Sequence, residues 1–164
     1  MRNVLITGKP GCGKSTLINE IIKRLEDKKI AGIITPEIRK NSARYGFKII
    51  DLKSKEEDIL ASVNIKTKFR VSKYFVNIEG IDKIVDKFLI SFEDAEYIFI
   101  DEIGTMELYS KKFGELLNKI FSSNKKIVAV IHRNLINNYK DKGIVYYLEK
   151  ENFDEVLNKI LLSL

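Results

Sequence analysis

The sequence has 164 residues, which is the size of one ordinary domain and enough to bury a substantial core. Cys12 is the only cysteine and His132 the only histidine, which excludes an intramolecular disulfide and a Cys/His zinc site built by this chain alone. The net charge of +6 suits a polyanionic ligand, but the 29 basic and 23 acidic residues are scattered. This scatter favours a solvated surface over a dedicated nucleic-acid face.

No apolar run approaches the roughly 20 residues that a membrane helix needs. The short run at residues 4–6 leads into glycines and is not typical of a signal peptide. We therefore expect a cytoplasmic protein without a membrane partner, with one domain over residues 1–164, acting as a monomer.

The first predicted elements are a strand, a glycine loop and a helix. The apolar run 4–6 predicts a buried strand that ends at Thr7-Gly8. A helix is predicted over residues 14–28, where apolar residues follow helical spacing. These are Leu17, Ile18, Ile21, Ile22 and Leu25.

The next segments predict strands. Residues 31–35 form an apolar strand and residues 47–52 a half-buried one, and the polar residues 40–44 between them indicate an antiparallel hairpin. Residues 54–77 have no firm period, although 59–61 and 74–76 are compatible with short strands.

The second half of the chain alternates helices and strands. Helices are predicted around residues 81–89, over 110–121 and around 156–161, and strands over 97–100, 127–131 and 145–148. This alternation predicts an α/β fold whose mostly parallel sheet carries helices on both faces.

The loop after the first strand fits the pattern G-x-x-x-x-G-K-[ST], which is typical of a phosphate-binding loop. Glycines let backbone N–H groups surround an anion, and the positive end of the following helix dipole faces the same phosphates. The candidate nucleotide-binding residues of this loop are Gly8, Lys9, Pro10, Gly11, Cys12, Gly13, Lys14, Ser15 and Thr16.

Three side chains of the loop have predicted roles. Lys14 reaches the β- and γ-phosphates, the Ser15 hydroxyl completes a Mg²⁺ shell, and Thr16 lies near the α-phosphate. Cys12 is either a reactive thiol beside a helix N-terminus or a small space-filling residue, and its unspecified position in the pattern favours the second.

Two acids follow the apolar strand 97–100. Asp101 lies where a Walker-B carboxylate holds Mg²⁺, and Glu102 could orient and deprotonate an attacking water. The alternative is a pair of solvated acids in a loop.

The strand 127–131 ends in His132-Arg133. If this strand lies between the phosphate-loop strand and the strand before Asp101, His132 can sense the γ-phosphate and Arg133 can neutralise developing charge. Strand ends are also often polar simply because they meet solvent. The string Asn124-Lys125-Lys126-Ile127 lacks the Asp of a guanine-specific motif and precedes its strand, so no motif selects a base.

Together these motifs resemble a family of small nucleoside-triphosphatases from thermophilic archaea and bacteria, which has a human cancer-related relative. The resemblance covers nearly the whole chain. Besides the phosphate loop, it rests on residues 35–39, on residues 44–47 and on the string D-E-I-G-T-M-E-L at 101–108.

The resemblance implies a RecA-like P-loop fold with an antiparallel hairpin around residues 33–52. It implies Mg²⁺-dependent hydrolysis of several nucleoside triphosphates to the diphosphate and phosphate, with little choice of base. By position, Asp101 and Ser15 are the metal ligands and Glu102 the base, Ile103 and Gly104 belong to the nucleotide site, and Arg39 and Arg44 match basic positions of the hairpin.

Two alternatives stay open at this stage. A nucleotide or polynucleotide kinase would use Glu102 on an acceptor hydroxyl instead of water. A nucleotide-gated RNA- or DNA-binding module would use the positive charge and the arginines of the hairpin. Hydrolysis is favoured, because Glu102 supplies a water-activating group and the sequence shows neither an acceptor-binding pocket nor an arginine-rich lid. Nucleic acid is a possible partner but is not required.

Overall fold

The computed structural model describes residues 2–164. The strands are β1 (Val4–Thr7), β2 (Ile30–Ile34), β3 (Glu37–Lys40), β4 (Ala43–Asp51), β5 (Glu57–Ser62), β6 (Arg70–Val71), β7 (Tyr74–Val76), β8 (Tyr97–Ile103), β9 (Lys126–Ile131) and β10 (Ile144–Tyr147). The helices are α1 (Lys14–Arg24), α2 (Ile78–Phe92), α3 (Lys111–Phe121) and α4 (Phe153–Ser163). Short 3₁₀ turns cover Glu107–Tyr109, Ile136–Asn138, Lys140–Lys142 and Lys150–Asn152.

One half of the sheet is parallel, in the order β10-β1-β9-β8-β2. Strand β9 therefore lies between the phosphate-loop strand β1 and β8, which carries the two acids. The prediction of an α/β fold with a parallel sheet is confirmed. This order brings the carboxyl ends of β1, β8 and β9 to one edge, where ligands of open α/β sheets bind.

The other half is antiparallel and continues the same sheet through β4, β5, β7 and β6. The predicted hairpin is present, formed by β3 and β4. The segment 54–77 supplies three more strands. Strands β5 and β7 cover the stretches 59–61 and 74–76, which the sequence indicated as compatible with short strands, whereas β6 was not predicted.

Two apolar clusters cover the faces of the sheet. Helices α1 and α4 pack on one face, where Ile18 and Ile160 are fully buried. Helices α2 and α3 pack on the other, around Phe88 and Phe113. Helices thus lie on both faces, as the pattern predicted. Within residues 2–164, none of the helices is long and apolar enough to span a membrane.

Candidate active site

The phosphate loop joins β1 to α1 and depends on glycine at two points. Gly13 caps α1 with φ of 105°, a left-handed conformation that side chains disfavour. At Gly8, a Cβ atom would lie 2.6 Å from the Leu148 carbonyl oxygen and 2.8 Å from Cys12 Sγ. Cys12 is buried against this loop, which supports its role as a space-filling residue. The loop therefore has the close packing and the helix start that the motif requires.

The Lys14 ammonium is held by the loop itself. Its Nζ donates to the Gly8 carbonyl at 2.7 Å and to the Lys9 carbonyl at 2.9 Å. These neutral acceptors satisfy the cation in the absence of phosphate, and its positive charge also acts on Asp101 and Glu102. The ammonium thus lies between the loop and the acids.

Strand β8 delivers the two acids to the same cavity as Lys14 and Ser15. Burial and the charge of Glu102 raise the pKa of Asp101 to about 7, although Lys14 and a hydrogen bond with Ser15 act in the opposite direction. The hydroxyl of Thr35, the residue after β2, donates a hydrogen bond to the Asp101 carbonyl oxygen and so links the end of β2 to β8. The acids are therefore close to the lysine, as the sequence hypothesis requires.

Glu102 and His132 face each other across this edge. Burial raises the pKa of Glu102, while the charges of His132 and Lys14 lower it. His132 Nδ1 accepts a hydrogen bond from the Asn134 backbone N–H at 3.1 Å, which orients the ring. Both His132 and Arg133 line the cavity, so the structure brings the predicted sensor residues to the site.

The donor set at Ser15 and Asp101 fits Mg²⁺. A hydroxyl and a carboxylate are hard oxygen ligands, and Mg²⁺ commonly binds through one or two such groups together with water and substrate phosphates. The described residues, 2–164, contain no cluster of three His, Cys, Asp or Glu side chains that could form a complete metal site. An ion here would therefore depend on the phosphates of the nucleotide.

The two hairpin arginines differ in position. Arg44 lines the cavity, where its Nη2 pairs with Glu37 Oε1 at 2.7 Å. Arg39 lies outside the lining because its Nε pairs with Glu37 Oε2 at 3.1 Å and its Nη1 donates to the Ser42 carbonyl. Arg44 therefore lines the same cavity as the phosphate loop, and Arg39 does not.

The remaining predicted positions also differ in whether they line the main cavity. Pro10, Gly11, Thr16 and Gly104 line the main cavity. Lys9 lines a second cavity on the other side of the loop, and Ile103 is fully buried among core residues. Ile103 therefore contributes packing that fixes the end of β8.

Glu107 is a buried acid to which the sequence analysis gave no role. It lines the cavity with 5% of its surface exposed, and a Cβ at Gly104 would lie 2.8 Å from its Oε2 and 3.1 Å from Glu102 Oε1. Burial and the charge of Glu102 raise its pKa to about 8. The only sequence signal was an acid between Met106 and Leu108, which does not reveal burial.

We expect Glu107→Gln to stabilise the protein at high pH. A carboxyl whose pKa rises on folding lowers stability as the pH increases from about 4.5 to about 8, because the unfolded chain loses its proton first. Each pKa unit corresponds to about 1.4 kcal/mol, so the expected gain at pH 9 is a few kcal/mol and close to zero at pH 4. Urea unfolding in EDTA at both pH values measures it. Glu115→Gln, at an exposed glutamate of α3, is the control, and an equal effect of both variants contradicts the prediction.

A phosphate loop on β1, with two acids on the non-adjacent β8, defines the P-loop class of nucleoside-triphosphate-binding proteins. The family model described as NTPase matches residues 3–161. A nucleoside-triphosphatase THEP1 of Methanocaldococcus jannaschii is 45% identical over 98% of both chains. One of Sulfolobus acidocaldarius is 40% identical over 96% of this chain and 91% of its own.

Two solved structures are similar to this chain over nearly its whole length. The crystal structure of THEP1 from Aquifex aeolicus matches with a TM-score of 0.85 and 33% identity, over 99% of this chain and 98% of that one. The solution structure of a human cancer-related nucleoside triphosphatase matches with a TM-score of 0.79 and 26% identity, over 99% and 97%. The chain belongs to this nucleoside-triphosphatase family, and the family predicted from the motifs is confirmed.

Proposed function

We propose that the protein hydrolyses nucleoside 5'-triphosphates to the diphosphate and phosphate, with Mg²⁺ and with little selection of the base. Family membership supports the hydrolysis. The main structural support for this reaction is that one cavity at the carboxyl edge of the sheet is lined by Lys14, Ser15, Asp101 and Glu102.

Different residues of this chain have different roles in hydrolysis. The loop N–H groups and Lys14 bind the phosphates and neutralise charge that develops on the leaving diphosphate. Glu102 accepts a proton from the attacking water, and His132, which lines the same cavity, orients both groups. Mg²⁺ held by Ser15 and Asp101 would neutralise the β- and γ-phosphates and fix their geometry.

The second cavity supports low base specificity. It has a volume of about 750 Å³ and adjoins the outer side of the phosphate loop at Gly8, Pro10 and Gly11. Tyr147, with 62% of its surface exposed, offers a ring there on which any base can stack. Stacking does not distinguish hydrogen-bonding edges, so a nucleoside bound here is held without selection.

Tyr147→Ala should therefore raise KM for ATP, GTP, CTP and UTP by a similar factor. Stacking of one base is worth about 1–3 kcal/mol, so we expect an increase of roughly tenfold or more for each. Steady-state kinetics with all four substrates measures it, and Tyr147→Phe, which keeps the ring, should remain near wild type. A loss confined to one base would show that Tyr147 takes part in base selection.

The proposed function is tested by measuring free phosphate from each triphosphate, with Mg²⁺ and with EDTA. We expect release from all four only with Mg²⁺. The same assay with single-stranded RNA tests the nucleic-acid alternative, which predicts stimulation that falls steeply with salt. Unchanged rates with RNA support a hydrolase without a nucleic-acid partner, and absence of release from every triphosphate would overturn the proposal.

A further inference from the structure

The main cavity extends well beyond the phosphate-binding residues. Its volume is about 730 Å³, within the range of about 300–1,000 Å³ that is typical of sites for small organic ligands. Part of its lining comes from the antiparallel half of the sheet and from the turn after β8. The walls of this part, the distal cleft, are formed by Phe47, Leu60, Val71, Tyr74 and Met106. A phosphate chain is charged, so apolar walls of this kind do not contribute to its binding.

The distal cleft is suited to an apolar or aromatic body. Phe47 and Tyr74 meet edge to face, with ring centroids 5.3 Å apart, and Tyr74 is buried while Phe47 is partly buried. Val71 is partly buried on the opposite short strand β6. Aromatic rings bind apolar surface and stack against other rings, so these walls favour a compact organic molecule over water alone.

The charge around the cleft indicates that this molecule is neutral. Arg44 is the basic side chain of the lining that contacts a wall of the distal cleft, because its guanidinium lies 5.6 Å from the centre of the Phe47 ring, and its Nη2 is paired with Glu37 at 2.7 Å. A site for a phosphorylated acceptor needs cations that are free to pair with the phosphate. At Arg44 the Nη2 group is already paired with the Glu37 carboxylate.

We infer that the distal cleft binds an uncharged organic alcohol and that Glu102 directs its hydroxyl, instead of water, at the γ-phosphate. The inference rests on the proposed function, because it uses the same triphosphate and the same base. The hydroxyl oxygen forms a bond to the γ-phosphorus, and the bond from that phosphorus to the β–γ bridging oxygen breaks. The hydroxyl proton passes to the Glu102 carboxylate, and the nucleoside diphosphate leaves. Hydrolysis is then the reaction of the same site when water occupies the cleft.

The test follows the fate of labelled γ-phosphate. The full chain is incubated with Mg²⁺, γ-labelled ATP and one of three neutral probes: uridine, adenosine or benzyl alcohol. A 5'-hydroxyl oligonucleotide and AMP are the charged comparisons. We expect a labelled phosphate ester with at least one neutral probe, formed at the expense of free phosphate, and none with the charged ones.

Val71→Trp fills the distal cleft without touching the residues assigned to hydrolysis. We expect it to reduce ester formation at least tenfold, and by a larger factor than phosphate release measured without a probe. Lys68→Trp is the matched control, because it places the same side chain three residues away at an exposed position outside the cavity lining. If the tryptophan variant does not fold, Val71→Met makes a smaller change of the same kind.

The outcomes separate the two proposals. Free phosphate without ester from any neutral probe would overturn the acceptor cleft and leave hydrolysis intact. Labelled phosphate transferred only to AMP, as labelled ADP, or only to the oligonucleotide, as an ester, would also overturn it, since the acceptor would then be charged. No release of phosphate under any condition would instead overturn the proposed function on which the cleft depends.

Discussion

Replacing Lys14 with alanine is expected to abolish measurable phosphate release. Lys14 is the lysine of the phosphate loop that lines the main cavity, and the oxygen atoms to which it donates are neutral carbonyl oxygens that phosphate oxygens can replace. Removing one preorganised donor from a site of developing negative charge commonly costs about 10²–10³ in rate. Lys14 also contributes to binding of the triphosphate, so we expect kcat/KM to fall by at least about 10³-fold.

Malachite-green detection of phosphate measures this loss, and a thermal melt shows whether the variant is folded. Lys23→Ala provides the control, because Lys23 lies on the same helix in an exposed pair with Glu20. A Lys14→Ala protein that is folded and turns over at the wild-type rate would mean that the reaction takes place elsewhere.

Replacing Glu102 with glutamine is expected to separate binding from chemistry. Glutamine keeps the size of the side chain but cannot accept the proton of the attacking water. Loss of a general base commonly lowers the rate by about 10²–10⁴, and we expect a decrease of that size in kcat. The affinity for the Mg²⁺–nucleotide complex should stay within a few-fold of wild type, because Lys14, Ser15 and Asp101 are unchanged.

Single-turnover kinetics gives the chemical step, and titration with a fluorescent nucleotide analogue gives the affinity. Asp101→Asn is an informative second variant, since it should weaken the binding of Mg²⁺ as well as lower the rate. A Glu102→Gln protein with normal turnover would assign the base to another group, of which Glu107 is the nearest buried candidate.

The phosphate loop was predictable because its information is local. Residues 8–15 fix glycine turns, a helix start and a lysine within a few positions, and the structure forms the strand, loop and helix in that order. The strands of the parallel half were also predictable, since strands buried on both faces, such as β1 and β9, consist of continuous apolar residues. The helix ends were less accurate, and α1 ends at Arg24 instead of Lys28.

The antiparallel half was less predictable. Strands β6 and β7 are two and three residues long, too short for a period to emerge, and they exist because β5 offers an edge on which to pair. The roles of Arg39 and Arg44 illustrate the same limit. Nothing in the sequence distinguishes the two arginines. In the structure the register shifts between residues 38 and 39, both arginines pair with Glu37, and only Arg44 lines the cavity.

By itself, the sequence determined the phosphate loop, the pair of acids after an apolar strand and the alternation that defines the α/β class. Each of these depends on neighbouring residues or on a short period. Only the tertiary structure decided that β9 lies between β1 and β8, that Glu107 is buried beside Glu102, and that apolar residues of the antiparallel half line the same cavity as the phosphate loop. These features join residues that are far apart in the chain, and such contacts depend on how strands pair and helices pack, which no local pattern encodes.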